Sequence, residues 1–122
     1  MFTCLIRYVV DPERLSDFEE YARSWIALIE KYGGTHHGYF IPDVPLEAKP
    51  EASFSFPELG TEGPNNIAVA LFSFPDVRTY DAYRRRVADD ELCIATTARF
   101  NESQPFLSYE RNFLRPVFTA DR

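Results

Sequence analysis

The 122-residue sequence predicts one α+β domain of order βαββαβ, a ferredoxin-like sheet of four antiparallel strands with both helices on one face, and three observations carry this. Two stretches rich in branched and aromatic residues, 2–10 and 67–74, each run into helix-opening punctuation, Asp11-Pro12 and Pro75-Asp76. With Asp11 and Asp76 aligned, Leu15, Phe18 and Ala22 fall on Tyr80, Tyr83 and Val87, so the two halves share one helical period. Each helix is then followed by a further strand.

The first strand spans residues 2 to 10 and contains neither Gly nor Pro. Asp11 offers a capping carboxylate, and Pro12 fits the first helical position, where a missing N–H costs nothing. Leu15, Phe18, Ala22, Trp25, Ile26, Ile29 and Tyr32 recur at steps of three and four, which predicts a helix over about 12–32 that stops at Gly33-Gly34. A second strand, 35–41, runs into residues 42–66, which hold five of the nine prolines, Asn65-Asn66 and few apolar side chains. So long a connection is expected to be either a cover over a site or an ornament. Residues 67–74 are apolar at nearly every position, as in a strand covered on both faces. Val77, Tyr80, Tyr83 and Val87 mark a shorter helix; Asp89-Asp90-Glu91 breaks it and caps a further turn or two to about Phe100. A last strand runs from Phe106 to about Arg115, bounded by Pro105 and Pro116.

Composition narrows the function. The net charge of −6 argues against a nucleic acid or anionic membrane surface, and the loop at 42–66, with five acids and one lysine, carries most of it. No apolar run approaches the roughly 20 residues that span a bilayer, and the start lacks a signal-peptide pattern, so a cytoplasmic protein is the expectation. Cys4 and Cys93 sit far apart in apolar stretches and read as buried thiols.

The predicted architecture poses a covering problem. Helices on one side leave the other side of the sheet bare, yet the strand at 67–74 offers Ile67, Val69 and Leu71 to one face and Ala68, Ala70, Phe72 and Phe74 to the other. An apolar face of this kind wants a cover, and a second copy of the same sheet supplies one, which predicts a homodimer. The alternative is the long loop folded over the sheet.

Four segments carry a resemblance: Thr3-Cys4-Leu5-Ile6-Arg7-Tyr8 leading into Asp11-Pro12, Phe18 to Trp25, Gly33-Gly34 followed by Gly38-Tyr39-Phe40-Ile41-Pro42, and Glu110 to Pro116. Together they resemble the NIPSNAP family of the dimeric α+β barrel superfamily. The resemblance spans nearly the whole chain except 42–66, where the long acidic loop departs from it. It implies a ferredoxin-like protomer whose sheet pairs with a second copy to close a barrel. Relatives in that superfamily include cofactor-independent monooxygenases, small isomerases and haem-handling proteins, and the family supplies no catalytic motif to carry over. Haem in the superfamily is typically held by a helix histidine. Neither predicted helix has one, so no cofactor is expected.

The candidate site residues follow from the strand pattern. His36 and His37 are the only histidines, and neighbours in a strand point to opposite faces, so the pair cannot grip one metal ion; no metal site is expected. Either histidine could face the sheet interior as an acid or base, the plainer reading being a solvated strand end. Arg7 interrupts an apolar strand and shares a face with Leu5, away from the helices, with Glu110 on the neighbouring last strand as its expected partner. It serves either as a structural ion pair or as a substrate anchor. The candidate catalytic residues are thus Arg7, His37 and His36, and the candidate binding residues Leu5, Tyr39, Trp25, Tyr109 and Glu110, around a cleft for a small apolar or aromatic molecule. The competing readings are a binding module and a small cofactor-free monooxygenase or isomerase. Arg84-Arg85-Arg86 fans across a helix surface and reads as a solvated face.

Overall fold

The computed structural model describes residues 1–43 and 53–118. Its elements are β1 (Phe2–Val10), α1 (Leu15–Lys31), β2 (Thr35–Phe40), β3 (Ile67–Phe74), α2 (Val77–Val87), α3 (Glu91–Ser103) and β4 (Phe106–Leu114). The four strands form one antiparallel sheet in the order β2-β3-β1-β4, so β1 and β3 are central and β4 lies beside β1, as the sequence predicts.

Three helices replace the expected two and a fragment. Asp90 caps α3 by accepting the Leu92 N–H through Oδ1, and the helix runs three residues past Phe100 before Gln104, at φ 45°, ends it in a left-handed cap ahead of buried Pro105. Its weak apolar stripe explains the underestimate: Cys93 and Thr96 are buried while Leu92 and Ile94 are exposed. At the front of α1, Asp11 caps a 3₁₀ turn over Pro12–Arg14, and the α-helix begins only at Leu15. β2 ends one residue earlier than expected, at Phe40, and β4 at Leu114.

The core lies wholly on the helix side of the sheet. Cys4, Tyr8 and Val10 of β1 and Ala68, Ala70, Phe72 and Phe74 of β3 meet Phe18, Leu28 and Ile29 of α1 and Tyr80, Tyr83 and Val87 of α2. Two of the three aligned pairs, Phe18 with Tyr83 and Ala22 with Val87, are buried in both halves, whereas Leu15, Trp25, Ile26 and Tyr32 of the expected stripe are only partly buried and Leu28 takes a core place instead. Gly34 permits the turn into β2: a Cβ there would stand 2.6 Å from Ile29 Cγ2 and 2.9 Å from Phe74 Cζ. Cys4 and Cys93 are free and buried, and burial pushes the Cys4 thiol up to about 11.

The opposite face of the sheet carries no helix. Direct pairing puts Phe40, Val69, Arg7 and Glu110 in one row across it and Gly38, Leu71, Leu5 and Asn112 in the next. The segment 42–66, expected as cover or ornament, lies partly outside the described residues. Its far end is tied down where the Val10 N–H donates to the Asn66 carbonyl at 2.8 Å.

Candidate functional site

The uncovered face holds two polar features on an apolar ground of Leu5, Val9, Ile67, Val69 and Leu71. The first is Arg7 with Glu110, whose Nη1 and Oε1 are 3.5 Å apart, directly opposite on β1 and β4. The pair is not buried within one chain: the side chains are 40% and 65% exposed. The second lies at the end of the sheet where β1 begins and β3 ends. Thr3, Ser73 and Thr35 stand abreast on β1, β3 and β2. Ser73 Oγ is 2.9 Å from Thr3 Oγ1 and 2.9 Å from His37 Nε2. A cavity of about 330 Å³ opens beside this cluster, lined by His37, Ser73, Thr35, Phe74 and Pro75 among others.

A β-bulge decides where the histidines point. His36 pairs with Phe72 and Gly38 with Leu71, leaving His37 as the extra residue, and Gly38 takes φ 113°, a conformation open to Gly at no steric cost. The extra residue keeps His36 and Tyr39 on the helix side, three positions apart, where their rings stack at 5.0 Å and 10°. His37 faces the other way. The structure thus separates the two histidines, as strand alternation predicts, and also carries Tyr39 to the side opposite His37.

His36 is chemically quiet. Its Nδ1 accepts the Gly38 N–H at 2.9 Å, so in the neutral ring the hydrogen sits on Nε2, which is buried without a partner among the described residues. Burial beside Tyr39 and Phe72 is the main cause that lowers its pKa to about 4. Tyr39 itself lies among core rings, its hydroxyl 3.5 Å from that of Tyr8, and desolvation pushes both phenols well up. Trp25 packs against the helix-side core, its Nε1 buried with no hydrogen-bond partner among the described residues. Tyr109 stands opposite Tyr8, on the helix side of the β4 edge and exposed.

The sequence-derived site residues therefore divide between two faces. Arg7, Leu5, Glu110 and His37 share the uncovered side; His36, Tyr39, Trp25 and Tyr109 share the helix side. Even on the uncovered side, Arg7 pairs with Val69 and His37 bonds Ser73, four residues further along β3. That is about 13 Å at strand rise, more than one small reacting centre spans. Sequence reasoning missed Ser73 and Thr3. Their signal was present, since Ser73 is the one hydroxyl in the apolar run Ile67–Phe74.

Among the described residues no group of three or more His, Cys, Asp or Glu is placed to hold a metal ion, and no helix is long and apolar enough to cross a membrane. A second cavity, about 320 Å³, lies between α1 and α3, with Tyr21, Thr96 and Phe100 in its wall and Arg14, Glu20 and Glu102 around it.

A four-stranded sheet of this order with its helices on one face defines a ferredoxin-like α+β protein, the fold of the dimeric α+β barrel and monooxygenase-like proteins. Within that class the resemblance is to NIPSNAP: the NIPSNAP family model matches residues 3–44, from β1 through β2. An uncharacterized NIPSNAP domain protein from Burkholderia xenovorans is similar over 98% of this chain and 98% of its own, at TM-score 0.69 and 19% identity. A NIPSNAP family protein of unknown function from Agrobacterium tumefaciens is similar over 98% and 91%, at TM-score 0.69 and 15% identity. A Nitrosomonas europaea protein, provisionally described as an antibiotic biosynthesis monooxygenase, is similar over 97% and 100%, at TM-score 0.60 and 8% identity. No curated protein matches the sequence.

Proposed function

We propose that this protein works as a homodimer that closes two uncovered sheet faces into a barrel and binds a small apolar or aromatic molecule in the cleft between them. The carrying observation is the face itself: Leu5, Val9, Ile67, Val69 and Leu71 line a helix-free surface, with Phe40 and Leu114 exposed at its edges. Four strands about 4.8 Å apart and about 27 Å long give it a projected area of about 500 Å². That is at the upper end of what a soluble monomer leaves open, and the flat projection alone supplies more than half of the roughly 800 Å² that one partner contributes to a stable interface. On this reading Leu5 and Val69 form cleft wall, and Arg7 with Glu110 supplies its polar contact. Tyr39, Trp25 and Tyr109 act from behind the sheet, as packing that holds it flat against the helices.

A cofactor-free monooxygenase or isomerase is a second reading, favoured by Arg7, a cation able to stabilise an enolate or carboxylate in an otherwise apolar cleft. Neither histidine reaches a proton held at Arg7: His36 lies on the helix side, and His37 shares the face but stands about 13 Å away along the sheet.

Light scattering at micromolar concentration tests the dimer. The wild-type chain is expected to be dimeric and Leu71→Glu, which places a charge in the centre of the face, monomeric; a monomeric wild type refutes the reading. Thermal-shift measurements with hydroxylated aromatics and short-chain lactones test the cleft. A ligand at 100 times its Kd stabilises by about 2.7 kcal/mol, and a stabilisation that persists undiminished in Arg7→Ala removes Arg7 from the binding site.

A further inference from the structure

We infer that Ser73 and His37 form a nucleophile and base pair that transfers small acyl groups at the end of the sheet. This goes beyond the dimer and its cleft, from which the pair is separated by about 13 Å along β3. Three features meet here. Ser73 Oγ and His37 Nε2 are 2.9 Å apart, the contact an activated serine requires. Ser73 is only 4% exposed, so its oxygen is largely shielded from bulk water, yet it lines a cavity of about 330 Å³. And the neighbouring hydroxyls of Thr3 and Thr35 flank Ser73 on the two adjacent strands.

The geometry of β2 is what brings the base to the nucleophile. His37 is the extra residue of the bulge, with Gly38 at positive φ behind it, and bulges commonly re-aim side chains. With its hydrogen on Nδ1, His37 accepts the Ser73 hydrogen through Nε2, while Thr3 donates to Ser73 Oγ and steadies the oxygen as it becomes anionic. Ser73 Oγ bonds to the acyl carbon of an ester and its proton passes to His37. The bond from the acyl carbon to the leaving alcohol breaks, and the alcohol takes that proton. Water then completes the cycle: its hydroxyl joins the acyl carbon, its proton goes to His37, and Ser73 leaves and recovers a hydrogen. Thr35, exposed at the cavity wall, is the hydroxyl placed to donate to the acyl oxygen. Met1 and Pro75 supply apolar wall, which fits an acyl group of a few carbons.

Diisopropyl fluorophosphate tests the pair directly, because it forms a bond to an activated serine as fluoride leaves. The full chain is incubated with the probe and the modified residue located by peptide mass mapping. A single adduct on Ser73 is expected, absent in Ser73→Ala. His37→Gln alters an exposed side chain, and its folding is checked by circular dichroism; its labelling is expected to slow by about 100-fold or more. Labelling of another serine instead, no labelling, or equal rates in wild type and His37→Gln overturns the inference. The labelling is repeated on Leu71→Glu, the variant that leaves this face open, with light scattering on the same samples reporting the oligomeric state; Ser73 should label there too, so the two proposals fail separately.

Discussion

His36 ties the stability of the fold to pH over a window that few other groups share. The ring is half-buried between Tyr39 and Phe72, and burial lowers its pKa from 6.5 to about 4. The folded chain therefore keeps His36 neutral where the unfolded chain has already taken up a proton. Stability is fully present above about pH 6.5, falls as the pH drops towards 4, and loses nothing more from this group below that. At about 1.36 kcal/mol per pH unit the whole gap corresponds to about 3 kcal/mol, and solvent reaching the half-buried ring screens part of it, leaving an expected loss of about 1 to 2 kcal/mol. With a urea m-value of about 1–3 kcal/mol/M, the midpoint should fall by about 0.3–2 M between pH 7 and 4.

The control is His36→Asn, whose side-chain oxygen can still accept the Gly38 N–H but does not titrate. It loses the stacking on Tyr39 at every pH, so the comparison rests on the slopes of the urea midpoint against pH, at fixed protein concentration. The variant should be flatter than wild type from pH 6.5 to 4. Parallel slopes refute the assignment of the acid sensitivity to His36.

Two further perturbations act elsewhere. Gly34→Ala forces a methyl group to within 2.6 Å of Ile29 Cγ2 and 2.9 Å of Phe74 Cζ, and should destabilise by about 1–3 kcal/mol in urea unfolding; an unchanged midpoint would mean that α1 and β3 can part there freely. Asp90 accepts from Lys31 Nζ at 2.6 Å, the Tyr32 hydroxyl at 2.7 Å and the Leu92 N–H at 2.9 Å, which hold its carboxyl down at about 2, so its contribution is present above about pH 3.8 and lost towards pH 2. Asp90→Asn should abolish that part of the acid limb, and a persistent limb would assign it to other carboxylates.

The legibility of this chain follows from which interactions are periodic. The assignment of Cys4, Ile6 and Tyr8 to the helices and of Leu5 and Arg7 to the far side rests on strand alternation alone, and the structure has Cys4 and Tyr8 buried and Arg7 beside Glu110. Alternation fails where a strand carries an extra residue: in β2 the bulge sets His37 and Tyr39 on opposite sides, and in β4 a register shift between Ser108 and Phe106 leaves Leu107 extra. Gly38 inside a strand pattern was the available sign of the β2 bulge. The tie from Asp90 to Lys31 and Tyr32 was invisible for a different reason: it joins side chains 58 and 59 positions apart at the junction of α1 and α3, and no local pattern records which helix ends meet. Asp90 is covered by those two partners at the surface and not by the core, its side chain being 4% exposed.

The two polar features of the uncovered face differ in what a second sheet would do to them. Arg7 and Glu110 lie in the interior of the face and half in water, where an ion pair contributes less than about 1 kcal/mol. In the proposed dimer the same two side chains lose their solvent, and each then depends on the other and on whatever polar group shares the cleft. A ligand bearing one carboxylate or enolate could take over part of the guanidinium, so binding there is expected to be selective for anionic or hydrogen-bonding heads on apolar bodies. Ser73, by contrast, is already shielded within one chain by its neighbours, and His37 reaches it from the edge strand β2. Its reactivity needs no partner. Concentration dependence consequently probes both ends of the sheet: ligand stabilisation through Arg7 should weaken as the dimer is diluted apart, whereas probe attachment at Ser73, on the same face, should hold its rate or quicken as that face is uncovered.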